Sequence, residues 1–431
     1  MTGGRTPALI ALLLLGGVLL VVLAVTTPWT PLPAPRGVSL AVDARRDFSS
    51  AEFAREKAYR SDVRPPAYAG MLVGLLVAAV LGLTPIGARI VTAAARPFGG
   101  GWWVAAVIGG IAITIIGRLA TLAFDGASER VRRRYGLSTQ SWSSWLVDQA
   151  KALAIAAVLL VITLSVFYAL ARRTPRHWWA WAAGAGVVLV LATSFVYPVV
   201  IEPVFNKFTS MPPGPLRDSL MKLAAEDGVP VRDVLVADAS RRTTALNAYV
   251  SGFGSTRRIV VYDTLVTSAP QREVELVVAH ELGHAERQDV LVGTAIGALA
   301  LAATMPLLWL LLTPGLLRRA GATAVGDPRS VALLMFIIAL MTLVTTPIGA
   351  LVSRRVEARA DVHSLDLTRD AQSFVEVERR LALTNLSDLE PNPIVYGLFF
   401  THPSTPERIA LARTWARLNG APEPADLRPA E

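Results

Sequence analysis

The chain has 431 residues, 53% of them hydrophobic and only 17% charged, with a mean hydropathy of +0.46. That is too apolar for the surface of an ordinary soluble globule and points to a membrane protein. Cysteine is absent, which excludes a disulfide framework and a thiolate metal site, so a transition metal would have to be held by histidine and carboxylates. The net charge of +9 does not imply nucleic acid. The basic residues are nearly all Arg and sit beside apolar segments, as in R-V-R-R-R at Arg130 to Arg134, a placement suited to anionic lipid headgroups. No basic and aromatic recognition module accompanies them. The expected environment is the lipid bilayer, and no nucleic-acid partner is expected.

Apolar stretches able to cross the hydrocarbon, about 20 residues at helical rise, occur near 8–25, 68–93, 101–123, 152–171, 177–200, 290–313 and 329–352. The fold class is therefore mainly α, a bundle of seven spans. The first stretch has the position of a secretory signal, but only one Arg precedes it and no small-x-small cleavage site stands before Thr26-Thr27-Pro28, so a retained helix is expected. Four regions follow. Residues 1–200 hold five spans, 201–289 form a polar segment, 290–352 hold two further spans, and 353–431 form a C-terminal segment. Seven spans put the two ends on opposite sides. The longer Arg-bearing loops, 26–67 and 124–151, share the side of the C-terminus, which the positive-inside rule makes cytoplasmic. Arg172, Arg173, Arg176, Arg318 and Arg319 in the opposing loops weaken that bias.

Residues 201–289 read as part of a soluble domain. Leu216, Leu220, Leu223 and Ala224 recur at helical spacing before Gly228, a helix stop. Val234 to Val236 and Ala245 to Val250 read as short strands, Gly252-Phe253-Gly254-Ser255 as a turn, and Ile259 to Tyr262 as the returning strand of a hairpin. After Pro270 the run Q-R-E-V-E-L-V-V-A-H-E-L-G-H-A-E-R has apolar residues at 274, 277 and 278 and no internal Pro, which predicts a helix.

That helix carries H-E-x-x-H. His280 and His284 are four apart, so their imidazoles share one face and can bind one ion together. Glu281, offset by one residue, falls beside a metal's water position, where it can act as general base. The bland reading is a helix whose two histidines merely pack or bond locally. Against it, the chain has only five His, and two stand here on one face beside a Glu. A catalytic zinc normally has three protein ligands and one open position. For the third, S-R-R-V-E-A-R-A-D, Ser353 to Asp361, begins where the last span ends and offers Glu357 and Asp361 on one helical face. One carboxylate would bind zinc while the other accepts the Nδ1–H of a liganding His. Alternatively, Arg354, Arg355, Glu357, Arg359 and Asp361 form a solvated helix with ordinary i,i+4 pairs.

Several separated segments carry a resemblance. They are E-R-V-R-R-R-Y-G-L-S-T-Q-S-W-S-S-W-L-V-D-Q-A-K, Y-P-V-V-I-E-P-V-F-N-K-F, N-A-Y-V-S-G, H-E-L-G-H, S-R-R-V-E-A-R-A-D and T-H-P-S-T-P-E-R-I. Over about 60–415 the chain resembles the type I CAAX prenyl endopeptidase family of integral-membrane zinc proteases. The resemblance implies a zincin-type metalloprotease domain with a small antiparallel sheet, one Zn2+ per chain, Glu357 as third ligand and Asp361 as support for a zinc His. It also implies that His402 and Arg408 stabilise the developing oxyanion, that Asn247, Ala248 and Tyr249 form the edge to which an extended substrate pairs, and that the spans surround a chamber. Read bare, His402 is a lone His before a Pro and the N-A-Y strand an ordinary sheet edge. His-Pro-Ser stands at residues 402–404 where many members have His-Pro-Pro. Four Lys against thirty-eight Arg point to a high-GC bacterial genome, so the expected substrates are membrane-associated or misfolded polypeptides, and the expected location is the bacterial inner membrane.

Other readings have less support. A protease with the motif inside a span would bury Arg272, Glu273, Glu275, Glu286, Arg287 and Asp289 in hydrocarbon at great cost. A non-catalytic zinc-containing scaffold or chaperone would normally use four protein ligands and have no need of Glu281. A transporter would carry more ionisable residues in its spans, where Arg118 is the exception. His177 reads as interfacial, within an aromatic belt of Trp178, Trp179 and Trp181, and His363 as structural.

Overall fold

The computed structural model describes residues 5–33 and 40–428. The regular elements described in the N-terminal half are all helical: α1 (Arg5–Thr26), α2 (Ser50–Leu83), α3 (Pro85–Ala95), α4 (Trp102–Arg134), α5 (Trp142–Arg173), α6 (Trp178–Val196) and α7 (Glu202–Phe205). A small mixed unit follows, with β1 (Phe208–Ser210), α8 (Pro215–Glu226), β2 (Asp233–Ala237), β3 (Ala248–Ser251), β4 (Arg258–Tyr262), α9 (Asp263–Ser268) and α10 (Gln271–Glu286). The chain then returns to long helices with α11 (Asp289–Leu311), α12 (Pro314–Arg319) and α13 (Val331–Thr368), and closes with α14 (Ala371–Asn385), α15 (Pro393–Phe399) and α16 (Thr405–Leu418).

Among the described residues, seven helical stretches are long and apolar enough to span a bilayer: α1, α2, α4, α5, the run Trp178–Phe205, α11, and the run Pro328–Thr368. The apolar stretch at 68–93 is not one helix. Thr84 leaves the helical region at φ −123°, ψ 164°, its hydroxyl accepts from Ile86 N, and Pro85 at the first position of α3 is pre-set for a new helix. At its other end α2 starts at Ser50, well ahead of its apolar part, because Ser49 and Glu52 form a capping box. α1 and α6 both pack along α11. Leu81, Val91, Ile113, Leu164, Tyr168, Trp178, Leu308 and Leu333 share the core of the membrane bundle. A cavity of about 760 Å³ opens among α2, α4, α5 and α13. Arg118 lies on its wall, paired with Asp125 and donating to Gln149 Oε1 at 2.6 Å. An arginine within a span thus has carboxylate and amide partners.

The sheet has the order β1-β2-β4-β3. The hairpin of β3 and β4 forms as expected, antiparallel with Tyr249 opposite Val260. The sheet is nevertheless mixed, because β2 pairs parallel with β4 and β1 adds antiparallel to β2. The hairpin turn requires Gly252: it sits at φ 93°, and a Cβ there would lie 2.7 Å from the Thr256 carbonyl oxygen. α10 lies between two apolar cores. Val274, Val278 and Leu282 face Ile259, Val261 and Leu220 on the sheet side, while Leu276 joins Phe374, Leu365 and Trp415 of α14, α13 and α16. Its charged flanks are tied to α14, with Arg380 paired to Glu273 at 2.5 Å and Arg272 to Asp370, the N-cap of α14, at 2.8 Å.

Candidate metal and peptidase site

With Val274, Val278 and Leu282 turned toward the sheet, the helical period leaves His280 and His284 on another face of α10, toward α13. The two helices cross closely at Gly283, where a Cβ would lie 3.0 Å from the His363 side chain. An alanine there would need His363 to give way by a few tenths of an ångström. His363 itself pairs with Asp227 at 2.9 Å, outside the cluster. Ser364 Oγ donates to the Leu276 carbonyl at 2.9 Å and fixes the register of the crossing. Glu357, two turns up α13 from Ser364, is thereby carried to the histidines. Its Oε2 lies 3.2 Å from His280 Nε2 and its Oε1 3.7 Å from His284 Nε2. The two Nε2 atoms are 3.2 Å apart, and one ligand atom from each residue falls within 4.8 Å of the others.

Each imidazole is held from behind by a carboxylate that is itself held by an arginine. His280 Nδ1 meets Asp361 Oδ1 at 2.8 Å, and Asp361, fully buried, binds Arg408 through Nε at 2.9 Å and through a second, shorter contact. His284 Nδ1 meets Asp289 Oδ2 at 2.8 Å, and the other Asp289 oxygen pairs with Arg359. Both rings are therefore fixed as Nδ1–H donors with Nε2 turned to one point. The surroundings are strongly negative. Burial pushes both imidazoles toward the neutral form, but hydrogen bonds to Asp361 and Glu357 raise His280 to about 10, and those to Asp289 and Glu357 raise His284 to about 9. A site that attracts two protons so firmly can exchange them for one dication. Two imidazole nitrogens and a carboxylate, convergent and with supported second partners, fit a divalent metal that prefers nitrogen and oxygen donors.

Glu281 is half-buried beside this cluster, and desolvation raises its carboxyl above the ordinary range. It sits where two clefts meet. One, of about 450 Å³, is lined by Asn247, Ala248, Tyr249, His284, Glu357 and His402; the other, of about 380 Å³, by Leu246, His280, Glu378, Asn385 and Arg408. β3 borders the first. Asn385 of α14 takes up the Leu246 backbone, accepting from its N–H at 3.0 Å and donating to its carbonyl at 3.3 Å. Beyond that clamp, no strand among the described residues pairs with the outer edge of β3.

His402 and Arg408, a pair by resemblance, stand in different surroundings. The His402 side chain is 60% exposed, and its Nε2 is 3.3 Å from Glu357 Oε2. Arg408 is 15% exposed, and its guanidinium goes to Asp361 and, at 2.9 Å, to Glu378. Three participants were missed in the sequence. Asp289 and Arg359 read as flanking charges, and Glu378 gave no signal at all. The one available cue was an Asp five residues after His284.

Membrane helices joined to this cluster and cleft define a membrane-embedded metallopeptidase. The chain belongs to peptidase family M48: residues 213–416 match the model of that family, and residues 44–207 match the model of the CAAX prenyl protease N-terminal region with five membrane helices. It is 31% identical to the uncharacterized metalloprotease YhfN of Bacillus subtilis over 73% of this chain and 74% of that one. It is 29% identical to the probable CAAX prenyl protease 1 of Schizosaccharomyces pombe over 69% of this chain and 63% of the other. The crystal structure of S. mikatae Ste24p shares the fold, with a TM-score of 0.77, 20% identity, and coverage of 94% of this chain and 98% of that one. The protein is an integral-membrane, multi-pass metalloendopeptidase.

Proposed function

We propose that the chain holds one Zn2+ between His280, His284 and Glu357 and uses it to hydrolyse extended segments of membrane-associated or misfolded polypeptides. The main support is the convergence of the two Nε2 atoms and the Glu357 carboxylate within 4.8 Å beside Glu281 and a sheet edge. Zinc supplies Lewis-acid polarisation of the scissile carbonyl and makes water a usable nucleophile at neutral pH. The chain's own residues do the rest. Asn247, Ala248 and Tyr249 offer backbone groups for an extended substrate to pair as an added strand. Glu281 removes a proton from the attacking water and delivers it to the leaving amine, for which its raised carboxyl pKa is suited. His402, exposed at the cleft, donates to the developing oxyanion. Arg408 contributes from behind, holding Asp361 and through it His280.

The Arg bias of the loops supports a site on the cytoplasmic face of a bacterial inner membrane. One experiment covers both parts of the reading. Inverted membrane vesicles should cleave an added extended reporter, lose the activity to a chelator and regain it with zinc, while right-side-out vesicles stay silent. Cleavage indifferent to chelation would remove the metal from the reaction, and cleavage by right-side-out vesicles alone would reverse the topology.

Asp289 is the support that this reading adds. Asp289→Asn should leave the fold intact and weaken zinc by about 10–100-fold in chelator competition, the usual effect of losing a carboxylate behind a ligand histidine. Unchanged zinc affinity would reduce Asp289 to an ion-pair partner of Arg359.

A further inference from the structure

From Pro391 to Thr401 the chain carries no charged residue, reading P-N-P-I-V-Y-G-L-F-F-T. Its helical part, α15, starts cleanly because Asn392 Oδ1 accepts from Ile394 N at 3.0 Å and Pro393 opens the helix. Ile394 and Leu398, four apart on one face, are 71% and 37% exposed. An apolar face turned outward on a short surface helix needs a partner.

Two arginines at the ends of spans fix where this helix lies. Just before it, Asp388 pairs with Arg64 of α2, directly ahead of the outward-facing Tyr68, Met71 and Leu72 of that span. At its end, Arg354 of α13 donates to the carbonyls of Tyr396 at 3.0 Å and Phe400 at 2.5 Å and stacks 4.6 Å from the Tyr396 ring. Arg354 directly follows the outward-facing Val344, Ile348 and Leu351. The tethers thus set α15 beside the end of the apolar stretch of α13, at the charged boundary of the bundle, with Ile394 and Leu398 exposed. On the inner side, Tyr396 donates to Glu407 at 2.6 Å, and three residues past α15 the chain reaches His402.

We propose that α15 is an interfacial membrane element, lying among the headgroups with Ile394 and Leu398 inserted into the leaflet on the metal side, and that the bilayer thereby holds the loop bearing His402 in place. A short helix with an apolar face and no charge of its own gains its binding from buried apolar area, and its ends are already anchored to two spans.

The chain has no cysteine, so Ile394→Cys and Leu398→Cys each give a single labelling position in the full-length protein. In vesicles of phosphatidylethanolamine and phosphatidylglycerol, an environment-sensitive fluorophore at either position should emit to the blue, be quenched by a headgroup spin-labelled lipid and be shielded from iodide. The same label at Glu376→Cys, on the exposed surface of α14, should behave oppositely. Iodide quenching at 394 equal to that at 376, or shielding that arises only when a polypeptide is added, would overturn the proposal; the second result would make α15 a protein-docking face. This labelling stands independently of the peptidase reading. With both residues changed to Asp, zinc content should stay unchanged, while cleavage of a vesicle-anchored reporter falls several-fold relative to cleavage of a soluble reporter in detergent. An equal fall in both assays would break the link between the bilayer and His402.

Discussion

Glu281→Gln should retain one zinc per chain and lose turnover, with kcat falling on the order of 10²–10⁴-fold, the usual contribution of a positioned general base. The substitution keeps shape and volume, and Glu281 is not among the three residues whose ligand atoms converge, so neither packing nor metal binding has reason to change. What changes is proton chemistry: an amide cannot take a proton from water near neutral pH. Metal analysis of purified protein beside cleavage of an extended reporter separates the two effects. If the variant keeps full activity with its zinc, the general base is another group. If it loses zinc as well, Glu281 contributes to the metal environment rather than to proton transfer.

Glu357→Ala should have the opposite profile, with zinc falling well below one per chain after dialysis and activity falling with it. Both histidines would keep the carboxylates behind them, but two imidazoles alone make a poor site for an ion that normally takes three protein ligands and one open position. Thermal unfolding provides a readout free of activity. Added zinc should raise the Tm of the parent chain, by mass action worth about 2.7 kcal/mol at a hundredfold excess over Kd, and leave the variant's Tm unmoved. If Glu357→Ala retains stoichiometric zinc, another donor has taken its place. His402, 3.3 Å from the Glu357 carboxylate, would then be the one to change next.

These expectations draw on features of unequal visibility in the sequence. H-E-x-x-H on a helix is a local pattern, whereas spacing offered both Glu357 and Asp361 on one helical face, and the family resemblance chose between them. The β3–β4 hairpin was legible, since alternation and a glycine turn are local. Asp289 was not. It follows Gln288, which caps α11 in a left-handed conformation at φ 56°, and nothing in the residue types announces a non-glycine in that region. The Asn385 clamp on Leu246 joins residues 139 apart, and the parallel pairing of β2 with β4 depends on a crossover that strand propensity cannot see. The break at Thr84 lay inside one apolar stretch, and its only local cue was Thr84-Pro85, a helix-start pair.

α13 joins the membrane core to the metal cluster. The helix runs for 38 residues with Pro347 inside it, about 57 Å at helical rise, and its two ends answer to different surroundings. Leu333 and Phe336 are gripped in the membrane core, while Glu357 stands roughly 36 Å further on, at the metal cluster. A rod pivoting near its first turns behaves as a lever: a tilt of only about 5° would carry the Glu357 end through roughly 3 Å, comparable to the separation of the ligand atoms themselves. Separating Glu357 from the α10 histidines would require breaking the core that α13 shares with α10 through Ala358, Leu365 and Leu276. The close crossing at Gly283 opposes that movement.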